Sequence, residues 1–274
     1  MKKNILLTTA LVLIIALAFT GCSTRTPTSN ESSADKTILK VGATPVPHSE
    51  ILNLIKPTLA AKGIELKIIE FTDYVKPNLA LDAKEIDANF FQHVPYMESF
   101  AREHDLQLLS AAKVHVEPLG LYSKKIKSVE DLKDGAIISI PNDPTNEGRA
   151  LILLETEGYI KLKSDAGLEA TDKDIVENPK NLVFKPIDAA QLPRTLDDVD
   201  AAVINTNYAL EAGLNPSKDA LVIEGSESPY ANILTIRPED KENEAIKELI
   251  NALQSEDIKN FIEEQYKGAV VPAF

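Results

Sequence analysis

Aromatic and polar side chains that could contact a small molecule are concentrated in residues 89–97, which read Asn-Phe-Phe-Gln-His-Val-Pro-Tyr-Met. The segment follows a predicted strand and precedes a predicted helix, and ligands of open α/β sheets bind at the carboxyl ends of strands. Four side chains could therefore line a pocket: Tyr74, Phe91, His93 and Tyr96. Taken singly, each of these residues is more often part of a core or a helix cap than a ligand contact.

One arginine stands near the start of a later predicted helix, where a positive charge is locally unfavourable. Arg149 follows a buried strand and a turn rich in proline and asparagine. Helix N-termini favour anions through their free N–H groups and the macrodipole. A cation at this place suggests an anionic partner, and a guanidinium matches a carboxylate in a bidentate arrangement. The alternative is a surface arginine that pairs with Glu147 or Asp143.

Asparagine side chains follow a third apolar strand, at residues 201–204. Asn205 and Asn207 come directly after it, and their amide oxygens could accept hydrogen bonds from an ammonium group. Both are equally good helix caps. Tyr230 and Asn232 lie where the chain is expected to return to its first half.

The elements that would position these side chains alternate between strand and helix. In the first half, strands are predicted at 37–42, 64–71, 86–91 and within 106–123, and helices at 49–61, 74–83 and 95–104. In the second half, strands are predicted at 136–140, 182–185, 201–204 and near 226–237, with helices at 128–132, 146–157 and 188–196 and two more at the end. This alternation predicts a mostly parallel sheet with helices on both faces.

Asp87 and Asp200 each follow a short predicted helix and open a strand, between an apolar residue and an alanine. One interpretation is two lobes of similar construction. The other is turn chemistry that is common before strands, and the residues alone do not separate the two.

Composition excludes several classes of function. The 274 residues include 29 Lys and Arg against 42 Asp and Glu, a net charge of −13, and nucleic-acid binding needs the opposite balance. A single cysteine excludes a disulfide framework and any multi-cysteine metal site. The sequence has no Gly-x-Ser-x-Gly motif and no obvious catalytic carboxylate pair with a neighbouring histidine, so we do not expect an enzyme. The length allows one large domain or two modest ones.

The first residues read as a targeting signal. Lys2 and Lys3 precede an apolar run at residues 5–19, which has signal-peptide length and is short for a membrane-spanning helix. The run ends at Gly21 and Cys22, the only cysteine. This arrangement resembles a bacterial lipobox. The lipobox pattern prefers leucine three residues before the cysteine, where this sequence has Phe19. The alternative is an ordinary secreted protein with a spare thiol.

The lipobox resemblance implies removal of residues 1–21 and lipidation of Cys22. Two or three acyl chains would anchor the protein stably to a membrane. Residues 22–36 are rich in Ser, Thr, Pro and Asn, so we predict a flexible tether there. Ordered structure is expected to begin near Thr37.

The motifs together resemble the NlpA lipoprotein family, the methionine-binding lipoproteins of ABC uptake systems. The resemblance rests on the lipobox, the segment 89–97 and three later segments, residues 140–151, 201–209 and 228–237. It covers essentially the whole chain and implies an α/β protein with the type II periplasmic-binding fold, in which two lobes enclose a ligand cleft and are joined by two crossing hinge strands. The first lobe would comprise residues 37–120 and 226–274, and the second residues 121–225.

The same resemblance implies roles for individual side chains. Arg149, with Asn146 beside it, would bind the ligand carboxylate, and Asn207 and Asn232 would hold the α-amino and carboxylate groups. The pocket for the methionine side chain would be formed by Tyr74, Phe91, His93 and Tyr96. A thioether gains roughly 0.3–1.5 kcal/mol from each contact with an aromatic edge, and a zwitterion cannot enter a dry cleft without partners for both charges.

The expected protein is a monomer, anchored by lipid alone on the extracytoplasmic face of the cell membrane. It would use no cofactor or metal, and it would deliver methionine to a membrane permease coupled to a cytoplasmic ATPase. D-methionine, a methionine-containing dipeptide or another amino acid remain as alternative ligands. A metal-binding lipoprotein is the alternative of a different class, but the spacing of His48, His93, His104 and His115 matches no HExxH-like pattern.

Overall fold

The computed structural model describes residues 36–225 and 229–274. The predicted signal peptide, Cys22 and the tether up to residue 35 lie outside these ranges. Within them, no helix combines the length and the apolar character needed to cross a membrane.

Helices and strands alternate along most of the described chain. The strands are β1 (Thr37–Ala43), β2 (Ile64–Glu70), β3 (Ala88–His93), β4 (Leu109–Val116), β5 (Gly120–Tyr122), β6 (Ile137–Pro141), β7 (Lys161–Leu162), β8 (Ile175–Glu177), β9 (Val183–Ile187), β10 (Ala201–Ile204), β11 (Val222–Ile223), β12 (Ala231–Ile236) and β13 (Val271–Pro272). The α-helices are α1 (Glu50–Ala60), α2 (Lys76–Asp82), α3 (Val94–His104), α4 (Pro144–Thr156), α5 (Leu192–Thr195), α6 (Thr206–Glu211), α7 (Pro216–Asp219), α8 (Glu244–Leu253) and α9 (Glu256–Tyr266).

The strands form two main sheets of matching topology. The first has the order β13-β4-β12-β3-β1-β2 and the second β11-β5-β10-β6-β9. In the first sheet β1 is parallel to β2 and β3, and β12 is antiparallel to β3 and β4. In the second, β6 is parallel to β9 and β10, and β5 is antiparallel to β10 and β11. Strands β7 and β8 form a separate hairpin.

The antiparallel strand in each sheet is the one that has crossed over from the other lobe. Strand β5 enters the second sheet directly after β4 of the first, and β12 returns to the first sheet after β11 of the second. Two lobes joined by two crossing strands are the architecture that the predicted type II periplasmic-binding fold requires, and the fold prediction is confirmed. The described residues all fall in one compact unit, so the predicted lobe boundaries stay a prediction.

Asp87 and Asp200 occupy equivalent places in the two lobes. The backbone N–H of Asp87 donates to the carbonyl of Lys40 in β1, and its carboxylate accepts from the N–H of Lys40 at 2.7 Å. Asp200 makes the same two bonds with Ile137 in β6, its carboxylate accepting at 2.8 Å. Each aspartate therefore fastens the strand that follows it to the central strand of its sheet, which supports two lobes of similar construction.

Apolar residues fill both faces of the sheets. In the first lobe, Ile51 and Leu59 of α1 pack with Ile246 of α8 and Ile262 of α9 in one core. The second sheet has a core on each face, one with Leu151 and other residues of α4 and one with the helices around residues 192–209.

Some helices and strands begin or end at other residues than predicted, because capping side chains or neighbouring strands determine their ends. Helix α4 begins at Pro144 and not at 146, because Asp143 caps it by accepting from the N–H of Asn146 and proline suits the first helical position. Strand β3 continues to His93, beyond the predicted end at 91, because it pairs with β12 up to the His93–Asn232 pair. The hairpin of β7 and β8 and the helix α6 were not predicted.

The close packing of α4 against the chain at residues 168–170 yields a stability prediction. A Cβ atom on Gly148 would lie 2.3 Å from the carbonyl oxygen of Leu168 and 2.9 Å from the nitrogen of Ala170, both backbone atoms. We expect Gly148→Ala to lower the free energy of unfolding by roughly 1–3 kcal/mol, although alanine favours a helix. Urea denaturation would measure the change. Gly225→Ala is the control, because a Cβ there meets no atom of the described residues within 4 Å; equal stability of the two variants would contradict the packing argument.

Candidate functional site

A cavity lies between the lobes. All the predicted ligand-binding residues line it: Tyr74, Phe91, His93, Tyr96, Asn146, Arg149, Asn207 and Asn232. Four further residues contribute to its walls: Gln92, Glu117, Asn205 and Thr206. The structure thus brings the candidate residues together, while their roles toward a ligand stay predictions.

The carboxyl ends of parallel strands supply most of these side chains. His93 ends β3, Asn146 and Arg149 follow β6, and Asn205 and Asn207 follow β10. The antiparallel strand β12 adds Asn232, which its register places between His93 of β3 and His115 of β4. Two sheets that face each other with these ends therefore concentrate polar groups in the cleft.

His93 joins the two lobes and also starts a helix. Its Nδ1 accepts a hydrogen bond from the N–H of Tyr96 at 3.2 Å, which caps α3. With Nδ1 as acceptor, the hydrogen is on Nε2, which lies 3.3 Å from the Oδ1 of Asn146 and donates to it. Burial and the nearby Arg149 lower the pKa of His93 to about 3, so the ring is neutral at physiological pH.

Three aromatic rings form the wall beside His93. The ring centroid of Tyr74 lies 5.9 Å from those of both Phe91 and Tyr96. The Tyr96 hydroxyl donates to the Tyr74 carbonyl at 2.9 Å, and the Tyr74 hydroxyl donates across the cleft to the Oδ1 of Asn207 at 2.6 Å. Burial raises the pKa of Tyr74 and Tyr96 well above the usual tyrosine value, so both stay hydroxyl donors.

The Arg149 side chain is 3% exposed and is held by other residues than those suggested by the sequence. Its Nε lies 3.1 Å from one carboxylate oxygen of Glu224, and its Nη2 donates to the other at 2.5 Å and to the Glu117 carbonyl at 2.8 Å. The guanidinium carbon also stands 4.3 Å from the ring centroid of Tyr230. The interpretation as a surface arginine paired with Glu147 or Asp143 is therefore wrong.

Two amide atoms in the cavity make no hydrogen bond to any residue that the structure describes. Asn205 donates through Nδ2 to the Oδ1 of Asn146 at 2.9 Å, which leaves its own Oδ1 buried without a partner among the described residues. The Nδ2 of Asn207 also has no partner among them. Buried polar atoms are almost always hydrogen-bonded, so an unused acceptor and an unused donor in one cavity suit a ligand that carries both kinds of group.

Below these amides, two histidines converge on one buried carboxylate. The Nε2 of His115 lies 2.7 Å from Glu117 Oε1, and the Nε2 of His48 lies 3.2 Å from the same oxygen and 3.1 Å from the Oδ1 of Asn232. Burial lowers the pKa of His48 to about 4 and of His115 to about 3, and it raises the pKa of Glu117.

This group bears on the metal-binding alternative, because its three ligand atoms lie within 4.8 Å of one another. Tetrahedral zinc at about 2.0–2.1 Å from each ligand would hold those atoms roughly 3.3 Å apart. The 2.7 Å between His115 and Glu117 is a hydrogen-bond distance instead. The other two histidines do not join the group: His93 caps α3, and His104 stacks on Phe100 at 4.1 Å.

Several residues of the site were not predicted as binding residues. Asn205 belongs to the asparagine segment that the sequence singled out, and its position directly after β10 was the available signal. Glu117, Glu224 and His48 carry no such local signal, because their partners lie elsewhere in the chain; Glu224 is 75 positions from Arg149.

Comparisons with known proteins agree with this geometry. The family model described as NlpA lipoprotein matches residues 39–274. The methionine-binding lipoprotein MetQ of Bacillus subtilis is 43% identical over 268 residues, 96% of each chain, and the D-methionine-binding lipoprotein MetQ of Escherichia coli is 40% identical over 94% of each. Among solved structures, a nutrient-binding protein from Burkholderia cenocepacia bound to methionine is 50% identical, with a TM-score of 0.84 over 86% of this chain and 100% of its own.

The matched residues include both sheets, the cavity between them and the two crossing strands. The family model covers the described structure from residue 39 onward, and relatives of this identity extend along nearly the whole chain. The chain belongs to the NlpA lipoprotein family.

Proposed function

We propose that this protein binds methionine between its lobes and serves as the lipid-anchored substrate-binding component of an ABC importer. The observation that carries the proposal is the combination, in one cavity, of an aromatic wall with a buried arginine and unpartnered amide atoms. Relatives named for binding methionine or D-methionine, and a similar structure bound to methionine, support it.

The aromatic wall suits the methionine side chain. Tyr74, Phe91 and Tyr96 present ring faces and edges about 6 Å apart between centroids, and His93 is neutral. A thioether is apolar and polarizable, so each sulfur–ring contact contributes roughly 0.3–1.5 kcal/mol. Burial of the side chain adds about 1.5–3 kcal/mol.

The polar end of the cavity suits an amino-acid head group. The guanidinium of Arg149 and the Nδ2 of Asn207 would donate hydrogen bonds to the ligand carboxylate, and Asn146 lies beside them. Asn232, between His93 and His115 in the first sheet, would be a further contact of the head group. A charged ligand can leave water only where such partners are fixed in advance.

Binding would favour the closed arrangement of the lobes. The aromatic wall and Asn232 lie on or beside strands of the first sheet, whereas Arg149 and Asn207 follow strands of the second. A ligand that contacts both sides binds the closed form better than the open one and shifts the population toward it. Delivery to a permease requires no chemical step on the ligand, so the proposed role is not enzymatic.

D-methionine and a methionine-containing dipeptide are the alternative ligands for the same cavity. Binding of D-methionine and L-methionine has to be compared directly, because one relative is named for binding D-methionine and another for binding methionine without a stated enantiomer.

Ligand specificity can be measured by thermal shift. Protein that has been unfolded, dialysed and refolded to remove bound ligand is screened against all common amino acids, D-methionine and methionine dipeptides at millimolar concentration. We expect methionine to raise the melting temperature most, because a ligand at 100 times its Kd adds about 2.7 kcal/mol of stability. No stabilisation by either enantiomer of methionine would contradict the proposal.

Arg149→Ala should weaken methionine binding by about 2–5 kcal/mol, because the ligand carboxylate would be desolvated without its partner. Arg149→Lys should lose less, since it keeps the charge and loses the fork-shaped donor. Calorimetric titration well below the melting temperature measures both. The control is Arg194→Ala, which removes an exposed arginine bonded to Gln191. If Arg149→Ala bound methionine normally, the carboxylate role would be wrong.

Cys22→Ala should release the protein from the membrane without loss of binding. The lipid would be attached to this single cysteine, and the cavity lies wholly within residues 74–232. Fractionation of cells that express the two forms, followed by titration of the purified variant with methionine, tests both parts. Continued retention of the variant in the membrane fraction would exclude anchoring through Cys22.

A further inference from the structure

A polar network of four buried side chains lies in the first lobe. Its members are Asn78 of α2, Asn89 and Gln92 of β3, and Thr235 of β12, each 2% exposed or less. Asn78 and Gln92 form a reciprocal amide pair, in which each side chain donates to the other, at 2.9 Å and 2.6 Å. Asn89 donates to the Oδ1 of Asn78 at 2.8 Å and accepts from the Nε2 of Gln92 at 2.9 Å. Every polar side-chain atom of the three amides is therefore paired within the network.

The network joins the elements that carry the rings of the aromatic wall. The Nε2 of Gln92 also donates to the Thr235 hydroxyl at 3.1 Å, and this hydroxyl donates to the sulfur of Met97 at 3.8 Å. Met97 follows Tyr96 in α3, and Tyr74 stands just before α2, the helix that supplies an asparagine of the network. Two strands and two helices are thus tied to one cluster of hydrogen bonds.

The third ring, that of Phe91, belongs to a β-bulge that the network encloses. The pairing of β3 with successive residues of β12 passes from Gln92 to Phe90 and omits Phe91. An extra residue of this kind bends a strand and redirects its side chains, and Phe91 lines the cavity. Because Asn89 and Gln92 stand on either side of Phe91, the network holds the strand at both ends of the bulge.

Stability alone does not account for four polar side chains at this place. An apolar cluster of the same shape would be about as stable, because buried polar groups give up their bonds to water. A fully satisfied polar network differs in that it specifies one arrangement of its members, since each hydrogen bond allows only a narrow range of distances and angles. The network is therefore suited to fix the separation of the three rings.

We propose that the polar network positions the aromatic wall and thereby sets the preference of the cavity for a thioether side chain. Asn78, Asn89 and Thr235 are positioning residues, because the cavity lining that the structure describes includes Gln92 but none of these three. The gain from a sulfur–ring contact depends on the distance and on the approach to the ring edge, so displaced rings would no longer distinguish sulfur from a methylene group. The inference rests on the proposed function, since it concerns the specificity of the same cavity.

Titration calorimetry with methionine and norleucine, both of the enantiomer that binds more tightly, tests the inference. Norleucine has the same head group and the same chain length, with a methylene group in place of the sulfur. The ratio of the two affinities therefore isolates the contact with the aromatic wall from the head-group contacts and from lobe closure. The wild-type protein should prefer methionine by about three- to tenfold.

Variants of the network should change this ratio and not only the affinity. Thr235→Val removes the hydroxyl at nearly constant volume, and Asn78→Leu removes the central amide; each should bring the ratio to within about twofold of unity. Thr235→Ser keeps the hydroxyl and should keep the wild-type ratio. Asn178→Leu is the matched control, because Asn178 also uses both amide groups, in bonds to the backbone of Leu182 beside the second sheet; it should leave the ratio unchanged.

Stability measurements on the same variants separate a positioning role from a purely structural one. Thr235→Val removes one bond and leaves the amide pair in place, so it is the variant expected to fold, and each titration is made well below the melting temperature. Network variants that melt earlier but keep the wild-type ratio would overturn the inference while the proposed function stands. Wild-type protein that binds norleucine as tightly as methionine would do the same. Absence of methionine binding by wild type would instead contradict the proposed function.

Discussion

The buried ion pair between Arg149 and Glu224 is the interaction on which the rest of the cleft depends. An arginine that is 3% exposed needs a compensating charge within the protein, and Glu224 supplies it from the segment that leads back to the first lobe. Glu224 also accepts from the backbone N–H of Leu119 at 3.3 Å, in the segment that leads to the second lobe. The two crossings of the chain are thus linked through the carboxylate that pairs with Arg149.

The matching topology of the two sheets explains why polar side chains line the cleft, whereas apolar side chains fill the cores on the faces of the sheets. In each sheet the parallel strands end at the cleft, and residues beyond a strand end lose the ladder partners that would otherwise satisfy their backbone. Asp87 and Asp200 bind the amino ends of the equivalent strands β3 and β10 to their neighbours. This fixes the position of the carboxyl ends, which lie at the cleft. Side chains such as His93 and Asn205 then serve both as caps or connectors of the fold and as lining of the cavity.

Sequence reasoning succeeded where the signal was local and failed where it was not. The alternation of strands and helices predicted the α/β class, but as a mostly parallel sheet, whereas both main sheets mix parallel and antiparallel pairs. The two-lobed fold came from the family resemblance, and the aromatic segment, the arginine turn and the asparagine segment contained residues that line the cavity. The end of β3 and the start of α4 were missed because β12 and the Asp143 side chain decide them. Glu224 was missed for a stronger reason: an arginine can pair with any acid that the fold brings near, and Glu147 and Asp143 were merely nearer in sequence.

Contacts within the protein also bring the two lobes together. Some hydrogen bonds between the lobes involve no ligand: Tyr208 donates to the Thr72 carbonyl at 3.3 Å, and Arg102 pairs with Glu169 at 2.5 Å. The second pair is exposed on both sides and contributes at most about 1 kcal/mol. Such contacts favour the closed form without a ligand, whereas the amide atoms that have no partner among the described residues oppose it. Under the proposed function, a ligand that supplies those partners would therefore favour closure.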